Sequence, residues 1–493
     1  MSEFPFASVL VANRGEIAAR ILRTARALGL RGLLVAHEID GRTPALDLAE
    51  DMRFVSGDTP VAAFMDIPQI LAAARDMGAQ AVHPGYGFLS ENAEFARAVQ
   101  QAGVVWVGPS PESIELMGDK VRARAFVGAH GFPLAPSAVE DDAPETFEAR
   151  ARALGPPLLI KPSAGGGGKG MRIVRDLTRL DEELGHARSE ALRYFGDSRL
   201  FVERYVDRPR HIEVQVMGDA HGGVVHLHER ECSLQRRFQK VVEEAPAPAL
   251  TDSERGEICA AATGIARACR YQGAGTVEFI RGADGFYFLE MNTRLQVEHP
   301  VTEMITGLDL VAEQLRVAAG QPLSFAQEEV RRDGHAIEVR IYAEDPARDF
   351  APTAGRVLRL RPPTGEGVRF DAGVLEGGTV SAAFDPMLAK LVVHGADRAQ
   401  ALVRMRAALS ELVLLGVTSN IALLRALLDD DDVAAGRIHT GLIAERPVLA
   451  AGNPLAPETR AVLIAAAALS LPEVRGAVDA IPQLHAAMGA WRN

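Results

Sequence analysis

The sequence predicts a mixed fold of the α/β and α+β classes, and three patterns indicate it. Short apolar strands alternate with helical segments over about residues 5–130, which favours a small parallel sheet with helices on both faces. A run of four glycines lies between two apolar strands at residues 158–174. Two further apolar runs, at residues 275–280 and 285–289, are separated only by a turn, which favours an antiparallel hairpin.

The N-terminal region begins with a strand, a helix and a second strand. Val9–Ala12 reads as a strand, Ile17–Leu28 has helical spacing that ends at Gly29, and Leu33–Ala36 begins the next strand. The same alternation continues through four later segments, Ile67–Met77, Ala81–His83, Glu94–Gln101 and Val104–Val107. A parallel sheet of this kind binds ligands beyond the carboxyl ends of its strands, where residues 83–91 lie.

The glycine run has charged residues on both sides. Lys161 precedes it and Lys169 follows it, so backbone amides and ammonium groups could close together on nucleotide phosphates. A Walker A phosphate loop is excluded because Gly170 stands where that motif has Ser or Thr. A flexible linker is the alternative interpretation.

The second strand of the predicted hairpin ends in residues suited to a hard cation. Glu290 and Asn292 are two positions apart, so they point to the same side of the strand, and Glu278 ends the preceding apolar run. These oxygen ligands suit Mg2+ together with substrate phosphates. Arg294, Gln296 and Glu298 follow in the same segment; a cation, an amide and a possible base can hold and deprotonate a small oxyanion. An ordinary helical ion pair between Arg294 and Glu298 is the alternative, although Pro300 makes the segment poorly helical.

Composition excludes several classes of protein. The chain has 493 residues and is 47% apolar, enough for about three domains with cores of their own. A formal net charge of −12 argues against nonspecific nucleic-acid binding. The longest apolar stretch, residues 461–469, is shorter than the ~20 residues of a membrane helix, the N-terminus does not read as a signal peptide, and the three cysteines form no ligand pair, so we expect a cytoplasmic protein.

Lysine is rare in this chain. Only five of its 53 basic residues are lysines, and the other 48 are arginines. A retained lysine suggests a need for a compact point charge that a planar guanidinium cannot supply. Motifs support four of them (Lys120, Lys161, Lys169 and Lys240), and Lys390 has no such support.

Six motifs together resemble the biotin carboxylase family of ATP-grasp enzymes. They are residues 13–17 (NRGEI), 83–92 (HPGYGFLSEN), 117–120 (MGDK), 161–171 (KPSAGGGGKGM), 231–237 (ECSLQRR) and 290–299 (EMNTRLQVEH). The resemblance runs from about residue 8 to about residue 447 in the family's order. It implies an ATP-grasp fold with a Rossmann-like N-terminal domain, a glycine-flap lid and a larger C-terminal antiparallel domain.

The activity that the resemblance implies is the first half-reaction of an acyl-CoA carboxylase. Such an enzyme uses ATP, Mg2+ (or Mn2+) and bicarbonate to carboxylate N1′ of biotin on a biotin carboxyl carrier protein, forms a homodimer and works with carboxyltransferase subunits. The residues that match the family's ATP-binding set are Lys120, Lys161, Gly166, Gly167, Lys169, Glu203, Val206, His211 and Gln235. Glu278, Glu290 and Asn292 match its metal ligands.

The remaining matches concern bicarbonate and biotin. Lys240, Arg294, Gln296 and the Val297 backbone match the bicarbonate pocket, with Glu298 as the general base. Carboxyphosphate would form and collapse to CO2 and phosphate, which then takes the proton of biotin N1′. Arg340 resembles the arginine that stabilises the ureido oxygen of biotin, and Tyr86 a residue that lines the biotin pocket.

One position departs from the family. Phe238 stands where many members carry His or Asn, and its ring cannot donate a hydrogen bond to ribose or phosphate. The departure keeps a degenerate nucleotide-binding subunit as an alternative. A different ATP-grasp carboxylate–amine ligase is a second alternative.

We expect four segments, namely 1–132 (N-terminal), 133–206 (lid), 207–447 (C-terminal ATP-grasp) and 448–493 (helical extension or linker). The last contains no lysine, so the carrier's biotin is expected on a separate domain or chain. In the family that the chain resembles, the carboxyltransferase selects the acyl-CoA, so the sequence of this chain does not specify that substrate.

Overall fold

The computed structural model describes residues 4–140, 143–163, 170–450, 457–471 and 476. The chain divides into two units, Met1–Ala450 and Ala451–Asn493. No helix among the described residues is both long and apolar enough to span a membrane.

The N-terminal part of the first unit contains a five-stranded parallel sheet. Its strands are β1 (Ser8–Val11), β2 (Arg31–Ala36), β3 (Asp51–Phe54), β4 (Ala81–His83) and β5 (Val105–Trp106), in the order β3-β2-β1-β4-β5. The helices of this region are α1 (Gly15–Ala27), α2 (Pro44–Leu48), α3 (Pro60–Met65), α4 (Ile67–Asp76), α5 (Ala93–Gln101), α6 (Pro111–Gly118) and α7 (Lys120–Ala129). The predicted strand–helix alternation is confirmed, and Gly29 ends α1 in the left-handed conformation, with φ 72°.

A four-stranded antiparallel sheet follows. Its strands are β6 (Ser137–Val139), β7 (Leu158–Pro162), β8 (Arg172–Val174) and β9 (Leu200–Arg204), in the order β6-β9-β7-β8, with helices α8 (Phe147–Ala153) and α9 (Leu180–Phe195). The strands predicted on either side of the glycine run are therefore β7 and β8, which pair with each other. The run itself, residues 164–169, lies outside the described residues.

The largest sheet has eight antiparallel strands in the order β14-β13-β10-β11-β12-β15-β22-β20. They are β10 (Arg210–Gly218), β11 (Val224–Arg236), β12 (Gln239–Ala245), β13 (Gly273–Gly282), β14 (Gly285–Asn292), β15 (His335–Tyr342), β20 (Val368–Ala372) and β22 (Met387–Gly395). Six short strands form three two-stranded sheets: β16 (Glu344–Asp345), β17 (Ala351–Pro352), β18 (Gly355–Arg356), β19 (Arg359–Arg361), β21 (Thr379–Val380) and β23 (Val413–Leu415).

Helices pack on both faces of the large sheet, and the apolar cores lie between these helices and the strands. They are α10 (Asp252–Ala268), α11 (His299–Thr306), α12 (Leu310–Ala318), α13 (Arg398–Glu411), α14 (Ile421–Asp429), α15 (Asp431–Ala434) and α16 (Leu442–Glu445). Apolar residues of α13 and α14 pack against β15 and β22, while α11 packs against the other face of these strands. On that second face, the apolar residue Ala336 of β15 is followed by the charged residues Glu338 and Arg340. The second unit contains α17 (Pro457–Ser470), in the segment where the sequence predicts helix.

Candidate active site

A cleft of about 1000 Å³ contains most of the residues that the sequence singles out. The predicted residues that line it are Tyr86, Lys120, Lys161, Glu203, Val206, His211, Gln235, Lys240, Glu278, Glu290, Asn292, Arg294, Gln296, Val297 and Arg340. Glu298 is fully buried and lies outside this lining. Gly166, Gly167 and Lys169 fall outside the described residues. Side chains from the four-stranded and eight-stranded sheets, and from segments that follow strands of the parallel sheet, therefore meet in one place.

The candidate metal ligands lie on the hairpin β13–β14, as predicted. Glu278 is directly opposite Glu290 in the strand register, and Asn292 Nδ2 donates to Glu278 Oε1 at 2.9 Å. Glu290 Oε2 lies 3.6 Å from Lys120 Nζ. Burial alone would raise the pKa of Glu278, but Lys240 and then His211 lower it below its ordinary value, so this carboxylate is ionised. Two carboxylates and an amide oxygen at the border of an open cleft fit Mg2+, which favours few protein ligands.

Lys240 connects three buried acids. Its Nζ donates to Glu213 at 2.5 Å, to Glu278 at 2.9 Å and to Glu298 at 2.6 Å. Two other triads of potential metal ligands, His211–Glu213–Glu278 and Glu213–Cys232–Glu298, occur here among the described residues. Both triads share Glu213, which lies outside the cleft lining and already pairs with Lys240, so they are better described as an ion-pair network than as metal sites.

Glu298 is held as an anion by cations on two strands. Lys240 of β12 contacts one carboxylate oxygen, and Arg340 Nη2 of β15 donates to the other at 2.9 Å. Burial would raise the pKa of Glu298, but Lys240, Arg340 and then Arg230 lower it well below its ordinary value. The group is therefore ionised and able to accept a proton.

Arg340 is oriented by a second acid. Its Nε donates to Glu243 Oε1 at 2.6 Å, while its Nη2 also reaches Glu298. Burial raises the pKa of Glu243 to about 7 despite the opposing effect of Arg340. Sequence reasoning missed Glu243 because an acid inside an apolar strand carries no motif.

Arg294 is held by hydrogen bonds to three side chains. Its Nε donates to Glu91 at 3.0 Å, and its guanidinium also reaches Gln296 Oε1 at 3.0 Å and Asn292 Oδ1 at 3.2 Å. The alternative of an Arg294–Glu298 helical ion pair is wrong, since α11 begins only at His299 and Arg294 pairs with Glu91. Arg294 and Gln296 thus border the candidate metal ligands.

Lys161 and Glu203 are direct ion-pair partners on the neighbouring strands β7 and β9. Arg124 Nη1 lies 3.2 Å from the same Glu203 carboxylate. The family resemblance places Lys161 and Glu203 in the ATP-binding set, but nothing in the sequence singles out Arg124, which is one of 48 arginines. A bound nucleotide would therefore have to share or replace the Lys161–Glu203 contact.

His211 and Gln235 lie at the centre of the large sheet. His211 Nε2 is 2.9 Å from Glu278 Oε2, and Glu278 raises the pKa of His211 although burial alone would lower it. Gln235 lies opposite Lys240 in the β11–β12 register. His211 therefore contacts the hairpin that carries the candidate metal ligands, and Gln235 lies beside Lys240.

Phe238 occupies the turn between β11 and β12. Arg237 and Phe238 have φ values of 48° and 66°, which is the left-handed region that favours Gly or Asn. The Phe238 side chain lines the cleft and is 60% exposed. The departure from the family pattern is therefore at the mouth of the cleft and carries backbone strain.

Comparisons with known proteins identify the family of this chain. Residues 5–114 match the family model "Biotin carboxylase, N-terminal domain", residues 119–326 match "Carbamoyl-phosphate synthase L chain, ATP binding domain", and residues 338–445 match "Biotin carboxylase C-terminal domain". A biotin carboxylase from Allochromatium vinosum is 46% identical over 434 residues, covering 87% of this chain and 96% of the relative.

Longer relatives are similar as well. The "Biotin-dependent acyl-coenzyme A carboxylase alpha3 subunit" of Mycobacterium leprae is 49% identical, with 86% of this chain and 71% of the relative covered. For mouse methylcrotonoyl-CoA carboxylase subunit alpha, the identity is 45%, and the chain spans only 61% of its length.

Solved structures have the same fold. The biotin carboxylase domain dimer of Hydrogenobacter thermophilus 2-oxoglutarate carboxylase, in complex with MgADP, ADP and bicarbonate, has a TM-score of 0.87 at 41% identity and covers 91% of this chain and 99% of that one. Biotin carboxylase from Campylobacter jejuni has a TM-score of 0.86 at 39% identity, covering 89% and 98%.

Proposed function

The chain belongs to the biotin carboxylase family and is a ligase with the ATP-grasp fold, and on that premise we propose that it carboxylates N1′ of biotin on a biotin carboxyl carrier protein, using MgATP and bicarbonate. The observation that carries the proposal is the position of Lys240, which contacts both Glu278 and Glu298. One ammonium group thereby joins the metal end of the cleft to its basic end.

The nucleotide would occupy the side of the cleft lined by the lid sheet. Lys120 and Lys161 supply positive charge for phosphates, and Glu203 and Val206 border the cleft where the family binds adenine. Gly166, Gly167 and Lys169 complete the proposed phosphate contacts, with His211 and Gln235 near the ribose and phosphates. Magnesium, when bound, would neutralise the phosphates, and Glu278, Glu290 and Asn292 are the residues that would hold it.

The bicarbonate pocket follows from the cations around Glu298. Arg294, Gln296 and Lys240 line this part of the cleft and would hold bicarbonate. Glu298 takes the proton as a bicarbonate oxygen attacks the γ-phosphorus and ADP leaves. Lys240 and Arg340 make Glu298 a weak base on its own, but they also stabilise the negative charge that develops on bicarbonate beside it. The proton donor and Glu298 therefore both lie beside the positive charges of Lys240 and Arg340 while the proton is transferred.

Transfer to biotin uses the same pocket. Carboxyphosphate loses its C–O bond to give CO2 and phosphate, the phosphate takes the N1′ proton, and the nitrogen forms the new bond to CO2. Arg340 stabilises the negative charge on the ureido oxygen, and Tyr86 lines the biotin side of the cleft. Because Arg340 is held by Glu243 and Glu298, its guanidinium is oriented before substrate arrives.

The experiment is a phosphate-release assay with MgATP, with and without bicarbonate and free biotin. We expect release that depends on bicarbonate and increases with biotin. Absence of biotin-stimulated turnover would overturn the proposal and favour a degenerate nucleotide-binding subunit, whereas turnover with an amine would favour a carboxylate–amine ligase.

We also propose that the chain is the α component of an acyl-CoA carboxylase and forms a homodimer. Relatives named as acyl-CoA, methylcrotonoyl-CoA and propionyl-CoA carboxylase α chains support this, and the 2-oxoglutarate carboxylase domain was solved as a dimer. Mass analysis of the purified native complex tests the proposal, since a carrier and a carboxyltransferase should copurify. A pyruvate or 2-oxoglutarate carboxylase activity in that complex would contradict it.

A further inference from the structure

Lys390 lies beneath the cleft and is fully buried. It is the lysine that the sequence motifs left unexplained. On β22 it sits directly opposite Arg340 of β15, so both side chains are on the face of the sheet that carries the site. Its position is therefore next to the proposed bicarbonate and biotin groups, although it does not line the cleft.

The Lys390 ammonium makes two contacts that connect separate parts of the chain. Nζ donates to the Val297 carbonyl oxygen at 2.6 Å and lies 3.3 Å from Oε1 of Glu16, in the first turn of α1. The same Glu16 oxygen accepts the hydroxyl hydrogen of Tyr86. Lys390 thus connects the backbone of the proposed bicarbonate pocket with a side chain of the proposed biotin pocket.

The contact with Val297 bears directly on Glu298. The Val297 carbonyl and the Glu298 amide belong to one planar peptide unit, so fixing the carbonyl oxygen fixes the direction in which the Glu298 side chain leaves the backbone. Residues 293–298 lie between β14 and α11 and belong to neither element. A side-chain donor is therefore needed to hold this peptide, because no strand or helix pattern runs through it.

We propose that Lys390 is a positioning residue, which orients the Val297–Glu298 peptide for the reaction and, through Glu16, the ring of Tyr86. The inference rests on the proposed function and extends it to a residue outside the cleft. A lysine suits this position because its compact charge can point at one carbonyl and one carboxylate, whereas a buried guanidinium has five donors to satisfy.

Two further acids lie near Lys390 on the same face of the sheet. Asp371 of β20 lies opposite Lys390, and Glu338 of β15 is buried two positions from Arg340. Neither oxygen of Glu338 has a hydrogen-bond partner among the described residues. A purely fold-stabilising ion is the competing explanation, so the test must separate substrate-specific effects from loss of stability.

The test compares Lys390→Met with the wild-type protein in steady-state assays of ATP cleavage. Methionine keeps the length of the side chain and removes its charge and donors. We expect the KM for bicarbonate to rise at least tenfold and kcat/KM for biotin to fall at least tenfold, with the KM for MgATP within twofold of wild type. Equal changes for all three substrates, or a lower thermal midpoint with unchanged KM values, would overturn the inference.

Arg398→Met is the matched control. Arg398 is the first residue of α13 and lies outside the cleft lining. Its guanidinium pairs with Glu244 and donates to the carbonyls of Val433 and Ala434. We expect this variant to lose stability without a change in any KM. A selective rise in the bicarbonate KM of Arg398→Met would mean that the effect of Lys390→Met reflects stability alone.

Glu16→Gln keeps the proposal falsifiable if Lys390→Met fails to fold. The amide oxygen can still accept from Tyr86, but the charge partner of Lys390 is lost while the Val297 contact remains. We expect the KM for biotin to rise about threefold or more and the KM for bicarbonate to change less; the reverse order would contradict the proposed connection. If the wild-type protein lacked bicarbonate- and biotin-dependent turnover, the proposed function itself would fail, which is a different outcome from unchanged KM values in an active variant.

Discussion

The Lys240 ammonium nitrogen lies 2.6 Å from Oε1 of Glu298, and it is shared with Glu278 at 2.9 Å. The proposed base and a proposed metal ligand thus contact the same lysine ammonium. A charge change at either carboxylate would be felt by the other, because Coulomb interactions are weakly screened in buried sites.

Replacing Glu298 with glutamine is expected to abolish proton acceptance. A positioned general base contributes about 10²–10⁴-fold, so bicarbonate-dependent phosphate release should fall by that order while the KM for MgATP stays within a few-fold. Steady-state phosphate release measures both. Glu231→Gln is the control, because Glu231 is a buried acid of the large sheet that pairs with Arg210 outside the cleft lining. Retained turnover in Glu298→Gln would refute the assigned base.

Glu244 is expected to make the fold sensitive to acid. His335 and Arg398 both donate to it at 2.7 Å, and although burial opposes them they lower its pKa from 4.5 to about 2. Its pKa is lower folded than unfolded, so the stabilisation is complete above pH 4.5 and disappears as the pH falls toward 2. The difference between the folded and unfolded pKa values of Glu244 corresponds to roughly 3 kcal/mol in the free energy of unfolding.

Denaturant unfolding of wild type and Glu244→Gln at a series of pH values checks this expectation. The stability difference between the two should be largest at neutral pH and shrink between about pH 4.5 and 2. A difference that did not vary with pH would mean that the Glu244 carboxylate is not what titrates.

Glu338→Gln should leave turnover unchanged. Its stability relative to the wild-type protein should increase as the pH rises. Burial, with a further contribution from Glu243, raises the pKa of Glu338 well above its ordinary value although Lys390 opposes the shift. The folded protein therefore holds a neutral acid that the unfolded chain releases as an anion above pH 4.5, which favours unfolding at neutral pH. An amide of the same size has no such dependence.

Thermal unfolding and turnover of Glu338→Gln between pH 4 and 8 provide the measurement. The thermal midpoint should exceed that of wild type at the upper end of this range and match it at the lower end, with kcat within about twofold throughout. A tenfold loss of turnover would indicate that Glu338 acts as an anion.

Phe238→Asn should stabilise the turn between β11 and β12. Phe238 has φ 66°, a conformation that costs roughly 1–2 kcal/mol for most residues and less for asparagine. We expect the free energy of unfolding to rise by about 0.5–1 kcal/mol. The KM for MgATP should also fall, because an amide can donate where the ring cannot.

Phe350→Asn is the comparison variant for this turn. Phe350 also has a positive φ, 59°, but the Arg236 guanidinium lies 4.1 Å from its ring centroid. Relief of strain should there be offset by the lost cation–π contact, which is worth about 0.5–1 kcal/mol or more. A lower stability for Phe238→Asn would show that its ring packs usefully despite its exposure.

Local pattern predicted the parts of the fold in which one face of an element is buried. The hairpin that brings Glu278 opposite Glu290 follows from apolar alternation, and it is confirmed. Strand β3 was not predicted, because three of its four residues are exposed and it carries no apolar run. Its place at the edge of the sheet explains that exposure.

Sequence by itself determined the chemical groups of this protein: the glycine run between two strands, the acid–amide pair of Glu290 and Asn292, and the retention of five lysines among 53 basic residues. Tertiary structure alone decided that Lys240 contacts Glu213 and Glu298, and that Lys390 holds the carbonyl of Val297. The physical reason is that periodicity reports only which side of an element faces the interior. Which charges meet there depends on the pairing of strands far apart in the chain, such as β12 with β15 and β15 with β22.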